Sequence, residues 1–402
     1  MSAHVAQRAR DGNSDGAPRD PVLSSLRRAL RTARRFGGEQ RLHVARQAGS
    51  EGNLSGFFAR FLGLVLRALA IGYPLALLAV ILAFRFIGER WWLATILLYL
   101  PRWGFALPLP FLTIWILLTG PRRLLIWQAI AAGLLLFPLM GLHLSGATGA
   151  TPGAFRLRVV TFNIDAGHYG PEAILAQIRE AEADVILLQE ARTQQTGPLK
   201  AGLPGYFFHE NDQFMIASRF PIQGAYEPPP LMYGGHHRSP RFAGYQLVTP
   251  GGIIQVYNVH PISPRDALED LRGNGFRSEL ASGHFFNSGI SAEVSANAGL
   301  RMTQLEAIAG QAARSSYPVL IAGDTNLPSL SWGLAHWLGD YQDGFTQRGR
   351  GFGYTFPSPK RPWMRIDRVL VDAHFRFLSF TVLRQIASDH LAVTAEVELQ
   401  RS

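Results

Sequence analysis

Short apolar runs that end in a polar or small residue recur through the C-terminal two-thirds of the chain. Apolar residues at helical spacing predict helices over 171–182 and 300–313. Between residues 262 and 298 no apolar period is sustained, and we expect a long mobile insertion there. The remaining runs predict strands over 156–164, 184–189, 214–218, 245–248, 252–258, 318–322, 366–371, 375–383 and 392–399. Because the last strands follow one another without helices, this α/β domain should contain antiparallel pairs.

Before residue 146 the apolar runs are longer and carry few charges. Residues 68–84, 105–119 and 124–144 are long enough to cross a bilayer, whereas residues 91–100 are too short to cross alone. We predict about three transmembrane helices, with 91–100 as an interfacial or partly embedded segment. A separate crossing by residues 91–100 would make four. Several tryptophans suit the depth of lipid headgroups: Trp91, Trp92, Trp103, Trp115 and Trp127.

The net charge of +10 is distributed unevenly along the chain. Residues 1–67 carry 12 arginines and 5 acidic residues, whereas residues 151–402 carry 22 basic and 23 acidic residues. Because basic residues remain in the cytoplasm, three crossings place the N-terminus inside and the residues after 145 outside. Four crossings would place the large domain inside. A domain that follows a nucleic-acid backbone is usually basic, so the neutral domain argues against nucleic acid as its main partner.

These changes in composition divide the chain into four parts. Residues 1–60 are predicted to be a disordered basic cytoplasmic tail, and residues 61–145 a transmembrane region. Residues 146–155 are predicted to be a linker of small residues, and residues 156–400 to form the large α/β domain. The sequence contains no cysteine, which excludes disulfides and thiolate metal sites and leaves oxygen atoms and histidine as metal ligands.

Polar residues follow successive predicted strands of the large domain. Asp324 and Asn326 come after the buried run 319–322 and the turn at Gly323, so both point into one cleft at the rim of a sheet. An ordinary Asp/Asn turn is the alternative for any single pair. Six such groups at successive strand ends are difficult to explain as turns. The other members are Asn163 with Asp165, Glu190, Asn258 with His260, Asp367, and Asp389 with His390.

The chemistry of this set suits the cleavage of phosphate esters. Carboxylates and an amide, without cysteine, are the ligands of a hard cation such as Mg²⁺ or Mn²⁺. A bound cation of this kind neutralises phosphoryl oxygens. The two histidines supply proton transfer and stabilise charge in the transition state.

The ordered series TFNID, LLQE, ASRFPI, NVHP, GDTN, RIDRVLV and SDH resembles the endonuclease/exonuclease/phosphatase superfamily over residues 156–398. The resemblance implies a four-layered α/β sandwich, in which two packed mixed sheets are flanked by helices. It also implies the metal site, with Glu190 as principal ligand and Asn163, Asp165 and Asp389 near the ion.

The catalytic roles are carried over from the same resemblance. Asp324 would orient or deprotonate the attacking water, and Asn326 would hold a phosphate oxygen. His260 would contact the scissile phosphate. His390 would stabilise the pentavalent state or assist the leaving group, with Asp367 fixing its tautomer.

Three membrane spans before such a domain resemble a membrane-anchored bacterial branch of the superfamily. The prediction is therefore a membrane-anchored, Mg²⁺-dependent (or Mn²⁺-dependent) phosphoesterase of the bacterial inner membrane, with its catalytic domain on the periplasmic side. The membrane tether and the neutral domain favour a lipid-linked or small phosphoester as substrate. The resemblance keeps a membrane-anchored nuclease open, and a non-catalytic membrane binding module is a third alternative.

Two further pairs of residues leave their role open in the sequence. Arg301 and Gln304 lie one turn apart on a predicted helix, and they belong either to the cleft or to an ordinary surface helix. Phe356 and Trp363 either line a substrate wall or pack inside the domain.

Overall fold

The computed structural model describes residues 56–269 and 289–400. All contacts given below lie within the unit Leu69–Ser402. The helices are α1 (Gly56–Phe86), α2 (Trp92–Tyr99), α3 (Pro108–Leu118), α4 (Leu125–Leu134), α5 (Pro171–Ala181), α6 (Thr193–Ala201), α7 (Arg265–Glu269), α8 (Gly289–Ala313), α9 (Trp332–Trp337) and α10 (Gly344–Arg348).

The strands are mostly short and concentrated after residue 155. They are β1 (His143–Leu144), β2 (Arg156–Asn163), β3 (Val185–Gln189), β4 (Phe207–Asn211), β5 (Phe214–Ser218), β6 (Ile222–Tyr226), β7 (Leu231–Tyr233), β8 (His236–Arg238), β9 (Phe242–Thr249), β10 (Gly252–Val259), β11 (Val319–Asp324), β12 (Gln342–Asp343), β13 (Arg350–Gly351), β14 (Asp367–Val371), β15 (Phe375–Val382) and β16 (Val393–Leu399).

Two six-stranded sheets form the centre of the domain. The first has the order β15-β16-β2-β3-β5-β4, and the second has the order β12-β14-β11-β10-β9-β6. Each sheet contains one parallel pair, β2 with β3 and β10 with β11, and its other pairs are antiparallel. Both sheets are therefore mixed, as the sequence predicts.

Apolar side chains from the inner faces of the two sheets meet in one core. Val159 and Leu187 of the first sheet pack in the same cluster as Val256 and Leu320 of the second, and all four are fully buried. The alternation of side chains along each strand sends the next residues to the outer faces, where helices cover them.

Helices flank both sheets and complete four layers. Ile174 and Ile178 of α5 pack with Val160 on the outer face of the first sheet. Leu305 and Ile308 of α8 pack with other buried apolar residues on the outer face of the second. The four-layered α/β sandwich predicted from the sequence is confirmed.

The residues between Leu69 and Leu144, called the helical segment below, contain long apolar helices. Within the described residues, Gly56–Phe86 and Arg122–Leu139 are each long and apolar enough to cross a membrane. The helices Trp92–Tyr99 and Arg102–Leu118 are bent by 91° at a short break, and they make the count three if the pair is one span. The break follows residues 91–100, the stretch that the sequence marks as too short to cross alone.

Several boundaries differ from those expected. The last apolar stretch, 124–144, is helical only to Leu139, and its end forms the strand β1, which pairs with β13 of the large domain. Part of the supposed insertion is regular, because α7 lies within it and α8 begins at Gly289 rather than near residue 300. The first helix begins at Gly56, so residues 56–60 of the predicted disordered tail are helical. Residues 270–288 of the insertion and the part of the tail before residue 56 lie outside the described residues.

Candidate active site

The predicted site residues converge because their strands end or begin at one edge of the paired sheets. Asn163 is paired with Gln189 at the ends of the parallel strands β2 and β3. Val259 is paired with Gly323 near the ends of the parallel strands β10 and β11. Parallel strands that are paired in this register place the residues that follow them side by side. Asp367 begins the antiparallel β14 opposite Asp324, so it reaches the same edge from the other direction.

Gly323 allows the close approach of β10 and β11 just before Asp324. Its φ is +151°, and a Cβ at this position would lie 1.9 Å from the carbonyl oxygen of Val259. No larger residue fits without moving one of the two strands. The glycine therefore fixes where the side chain of Asp324 enters the site.

A cavity of about 880 Å³ lies at this edge, and its lining is partly polar and partly apolar. One side carries the predicted polar site, and the other side is apolar and aromatic. The polar lining contains Asn163, Asp165, Glu190, Asp212, Gln213, His260, Asp324, Asn326, Asp389 and His390, together with Arg192, Arg241, Arg265 and Lys360. The apolar lining includes Tyr99, Leu268, Phe356, Trp363, Met364 and Ile366.

Left-handed backbone conformations are concentrated around this cavity. Eight non-glycine residues in the described part of the chain have a positive φ, and five of them line the cavity. Such conformations are costly, and they persist where the surrounding structure holds them. The five are Asp165, Glu190, Asp212, Arg241 and Asn326.

His390 is held between two buried carboxylates. Its Nδ1 lies 3.0 Å from Oδ2 of Asp367, and its Nε2 lies 3.6 Å from Oδ2 of Asp324. Burial alone would lower the pKa of His390, but the carboxylates of Asp367 and Asp324 outweigh it and raise that pKa to about 10. The imidazole is therefore protonated near neutral pH and directs a charged N–H into the cavity.

His260 has a neutral partner and the opposite protonation. Its Nδ1 lies 2.5 Å from Oε1 of Gln213, which accepts the N–H, and its Nε2 lies 3.5 Å from Oδ2 of Asp324. Burial lowers the pKa of His260 to about 4, because the nearby Asp324 only partly offsets the loss of solvation. The site thus offers one charged and one neutral imidazole.

Asp324 lies between the two histidines and is 1% exposed. Its Oδ1 accepts the backbone N–H of Asn326 at 2.8 Å, and its Oδ2 accepts the side-chain amide of Asn163 at 3.2 Å. Burial raises the pKa of Asp324, and the nearby Asp367 adds to the effect while His390 opposes it. A carboxyl group whose affinity for a proton is raised in this way is suited to act as a general base.

Three carboxylates at the mouth of the cavity fit a divalent cation. Glu190, Asp165 and Asp389 are partly exposed to the cavity, with side-chain exposures of 33%, 26% and 20%. Burial and the charges of Asp389 and Glu190 raise the pKa of Asp165. Mutual repulsion of this kind is relieved by a cation, and oxygen donors are the ligands that Mg²⁺ prefers. The donor chemistry of this set therefore fits the predicted ion, although among the described residues only a second, buried group has all its donor atoms within 4.8 Å of one another.

Asn163 contacts this group through its amide nitrogen. Its Nδ2 donates to Oε1 of Glu190 at 3.1 Å, and its Oδ1 accepts the backbone N–H of Asp165. The amide oxygen thus faces away from Glu190, and a direct role of Asn163 as ligand stays a prediction.

A second group of possible metal ligands is fully buried. Donor atoms of Asp324, Asp367 and His390 lie within 4.8 Å of one another. Both carboxylate oxygens of Asp367 already contact Nδ1 of His390, at 3.1 and 3.0 Å. A cation here would have to break this hydrogen bond, and a cation at Asp389 would have to displace Arg265, which donates to its Oδ2 at 2.9 Å. The choice of the partly exposed carboxylates as ligands stays a prediction.

Sequence reasoning missed Gln213 and Tyr99, and it misplaced two residues of α8. Arg301 and Gln304 are 0% and 1% exposed, so they belong neither to the cavity lining nor to a surface helix. Gln213 lies in the turn between β4 and β5, where a neutral residue gives no chemical signal. Phe356 and Trp363 do line the cavity, which favours the first of their two interpretations.

Comparison with known proteins agrees with this architecture. The model of the endonuclease/exonuclease/phosphatase family matches residues 160–390, a range that contains every predicted site residue. A comparison with curated proteins finds no significant match.

Similar solved structures share low sequence identity with the chain. A humanised TDP2 from D. rerio is 17% identical, with a TM-score of 0.45 over 60% of this chain and 98% of that protein. An endonuclease/exonuclease/phosphatase from Beutenbergia cavernae is 21% identical, with a TM-score of 0.43 over 61% of this chain and 72% of that protein. A mannosyl-6-phosphatase from Bacteroides thetaiotaomicron is 15% identical, with a TM-score of 0.43 over 60% of this chain and 99% of that protein.

Proposed function

The chain belongs to the endonuclease/exonuclease/phosphatase family of metal-dependent phosphoester hydrolases, and we propose that it is a membrane-anchored, Mg²⁺-dependent phosphoesterase acting on lipid-linked or small phosphoesters of the cell envelope. One observation carries the choice of substrate. Met364 and Ile366 line the cavity, and they belong to the same buried apolar cluster as Phe84, Leu98 and Leu135 of the helical segment. The apolar helices are thus packed against the wall of the cavity, and a substrate whose apolar tail stays among lipids would have its polar end near the catalytic carboxylates.

The proposed chemistry assigns each polar group one task. Asp324 accepts a proton from the attacking water, since it is buried and its affinity for a proton is raised. The protonated His390 donates to a phosphoryl or leaving-group oxygen, while Asp367 holds its ring by the Nδ1 contact. His260 contacts the phosphoryl group from the other side, and Asn326 holds a phosphate oxygen.

Glu190, Asp165 and Asp389, with Asn163 beside them, would hold the cation. When bound, Mg²⁺ supplies positive charge that neutralises phosphoryl oxygens. The chain's own contribution is the fixed orientation of its carboxylates, because strained backbone at Asp165 and Glu190 aims them into the cavity.

The membrane assignment rests on exposed apolar side chains of the helical segment. Phe111 and Leu118 of α3 are 72% and 77% exposed, which is unfavourable in water and suits contact with lipid tails. With Gly56–Phe86, the bent pair Trp92–Tyr99 and Arg102–Leu118, and Arg122–Leu139 as three crossings, the basic N-terminal tail lies in the cytoplasm and the catalytic domain lies in the periplasm. A reporter fused after residue 402 tests this orientation, and a signal confined to the cytoplasm would contradict it.

A nuclease is the second candidate because several cationic side chains line the cavity. Arg192, Arg241 and Lys360 are placed where they would contact the phosphates that flank a cleaved bond. DNA cleavage that weakens steeply with salt would favour this alternative. A non-catalytic binding module is disfavoured, since every predicted catalytic position is occupied by a suitable residue.

The experiment uses the full chain in detergent micelles with Mg²⁺ or Mn²⁺. A lipid diphosphate, a nitrophenyl phosphodiester and plasmid DNA are offered in parallel. Glu190→Ala and His390→Ala are expected to abolish turnover while the protein remains folded. The exposed helical variant Glu172→Ala is a matched control that should keep full activity.

Each outcome of this experiment separates the candidates. Metal-dependent turnover of the lipid but not of DNA would support the proposal. Cleavage of DNA alone would make the protein an anchored nuclease. Binding without turnover of any probe would favour the binding module, and full activity in both active-site variants would refute the site assignment.

A further inference from the structure

Helix α2 of the helical segment contacts the loop that carries Asn326. The hydroxyl of Tyr99, the last residue of α2, donates to the backbone carbonyl of Asn326 at 2.7 Å. The backbone carbonyl of Tyr99 accepts the indole N–H of Trp363 at 3.4 Å. Tyr99 is 7% exposed and lines the catalytic cavity. A residue from outside the α/β domain is therefore part of the wall of its site.

Other polar residues of the helical segment hold the rest of the same loop. The carboxylate of Glu89 accepts the hydroxyl of Ser331 at 2.5 Å and the backbone N–H of Gly333 at 3.2 Å. The guanidinium of Arg102 donates to the carbonyl of Ser329 at 3.4 Å. Glu89 and Arg102 are each about 95% buried, so these contacts are shielded from solvent. The loop between Asn326 and Gly333 is thus fixed along its length.

Arg301 links this contact to the loop that follows His260. Its Nη1 donates to the hydroxyl of Tyr99 at 3.0 Å, and its Nε donates to the carbonyl of Ile262 at 2.8 Å. The side-chain amide of Asn326 donates to the carbonyl of Pro261 at 3.0 Å. These bonds form a closed network between the two loops that carry catalytic groups. The hydroxyl of Tyr99 is its central atom, because it both donates and accepts.

The conformation of Asn326 depends on such support. Its φ is +49°, which is uncommon for a residue with a side chain. Its backbone N–H donates to Oδ1 of Asp324, so a rotation of the Asn326 peptide would disturb the proposed general base. The hydroxyl of Tyr99 binds the carbonyl of the following peptide, Asn326–Leu327, so the two bonds hold the backbone of Asn326 on both sides of its Cα.

We propose that Tyr99 is a positioning residue of the active site, through which the membrane anchor completes the catalytic geometry of the α/β domain. This inference rests on the proposed function, since it assigns Asp324 and Asn326 to catalysis. The anchor then has a second task besides tethering: it holds the loop of Asn326 in the conformation that the reaction needs.

The test is the full-length variant Tyr99→Phe, which keeps the ring and removes only the hydroxyl. With a nitrophenyl phosphodiester and Mg²⁺ we expect kcat to fall roughly tenfold, the size seen when supporting hydrogen bonds of active sites are removed, while KM stays within about twofold. Amide hydrogen exchange should become faster at residues 324–333.

The matched control is Tyr354→Phe. The hydroxyl of Tyr354 also joins the large domain to the helical segment, by donating to the carbonyl of Met140 at 2.9 Å, but this residue does not line the cavity. We expect its kcat to equal that of the wild type. Equal losses in both variants would overturn the proposal, because they would indicate a general effect of docking.

Amide hydrogen exchange tests the inference independently of the hydrolytic activity. If the wild type hydrolyses none of the probes, the proposed function fails, and the exchange of residues 324–333 alone decides the inference. Faster exchange in Tyr99→Phe but not in Tyr354→Phe supports it. Unchanged exchange in Tyr99→Phe, or unchanged kcat in an active protein, overturns it.

Discussion

Two carboxylates flank the strand β14 and have opposite electrostatic surroundings. Asp324 ends β11 on one side of β14, and Asp343 ends β12 on the other side. Burial alone would raise the pKa of Asp343, but Arg365 and Arg368 outweigh it and lower that pKa to about 2. The pKa of Asp324 is instead raised by burial, and no arginine bonds to its carboxylate in the described part of the chain.

The difference separates a structural charge at Asp343 from the charge that we propose to be catalytic at Asp324. The carboxylate of Asp343 bonds to the guanidinium groups of Arg365 and Arg368 at 2.5 to 2.8 Å, and both groups stay charged. It also caps α10 by accepting the backbone N–H of Phe345 at 2.9 Å. Asp324 instead lies beside two histidines, of which only His390 is charged near neutral pH, and histidines titrate. The charge of Asp324 can therefore change during a reaction, whereas that of Asp343 stays fixed.

Among the variants that test this comparison, Asp324→Asn is expected to have the largest effect, on kcat. The substitution removes the proposed general base, so we expect kcat to fall about a hundred- to ten-thousand-fold. The melting temperature should stay the same or rise, since a buried carboxylate with a raised pKa is replaced by a neutral amide. Steady-state kinetics and thermal unfolding of the same preparation measure both quantities. Retained activity with a lowered melting temperature would mean that Asp324 is structural.

Asp343→Asn is expected to have the next largest effect. Here the stability should fall while the activity is kept. The variant leaves two arginines that are 6% and 0% exposed without their counter-charge. Breaking a buried ion pair in this way costs about 3–5 kcal/mol of the free energy of unfolding. Denaturant unfolding measures the loss, and kcat of the folded fraction should be unchanged. A kcat that falls with little loss of stability would contradict the structural role.

The smallest effect is the dependence of stability on pH. Because the pKa of Asp343 is lowered to about 2 from an unfolded value of about 3.9, its contribution is fully present above pH 4 and is lost as the pH falls towards 2. At about 1.4 kcal/mol per pKa unit, the change is on the order of 2–3 kcal/mol. The difference in unfolding free energy between the wild type and Asp343→Asn should therefore shrink between pH 4 and pH 2. A constant difference would indicate that the ion pair adds no stability.

The sequence predicted the architecture well where local pattern and packing agree. The strands β2, β3 and β11 are buried along nearly their whole length, so continuous apolar runs mark them clearly. The polar residues after these strands were predicted to converge, and Asn163, Glu190 and Asp324 do lie together. The hairpin of β7 and β8 was missed because it is exposed and has no apolar alternation to reveal it.

Contacts between distant parts of the chain could not be predicted in this way. Tyr99 and Asn326 are 227 positions apart, and nothing in either local sequence indicates their hydrogen bond. The arginine pair around Asp343 was also not predicted, because a charged residue in a short strand has no periodic signature. The start of α8 was missed because its first turns are rich in Ser, Ala and Asn, and only a few residues such as Val294 pack inward.

The position of β16 in the first sheet has a consequence for the folding of the chain during its synthesis. β16 lies between β15 and β2, so β2 is an open edge until β16 is made. Most of the domain is synthesised after β2 and before β16. During that time the backbone groups on the β16 side of β2 stay unpaired. Ribosomes that stop before residue 393 therefore release a chain with a gap in the middle of its sheet, which proteases and chaperones can recognise. The first sheet is therefore complete only after residues 393–399 have been synthesised.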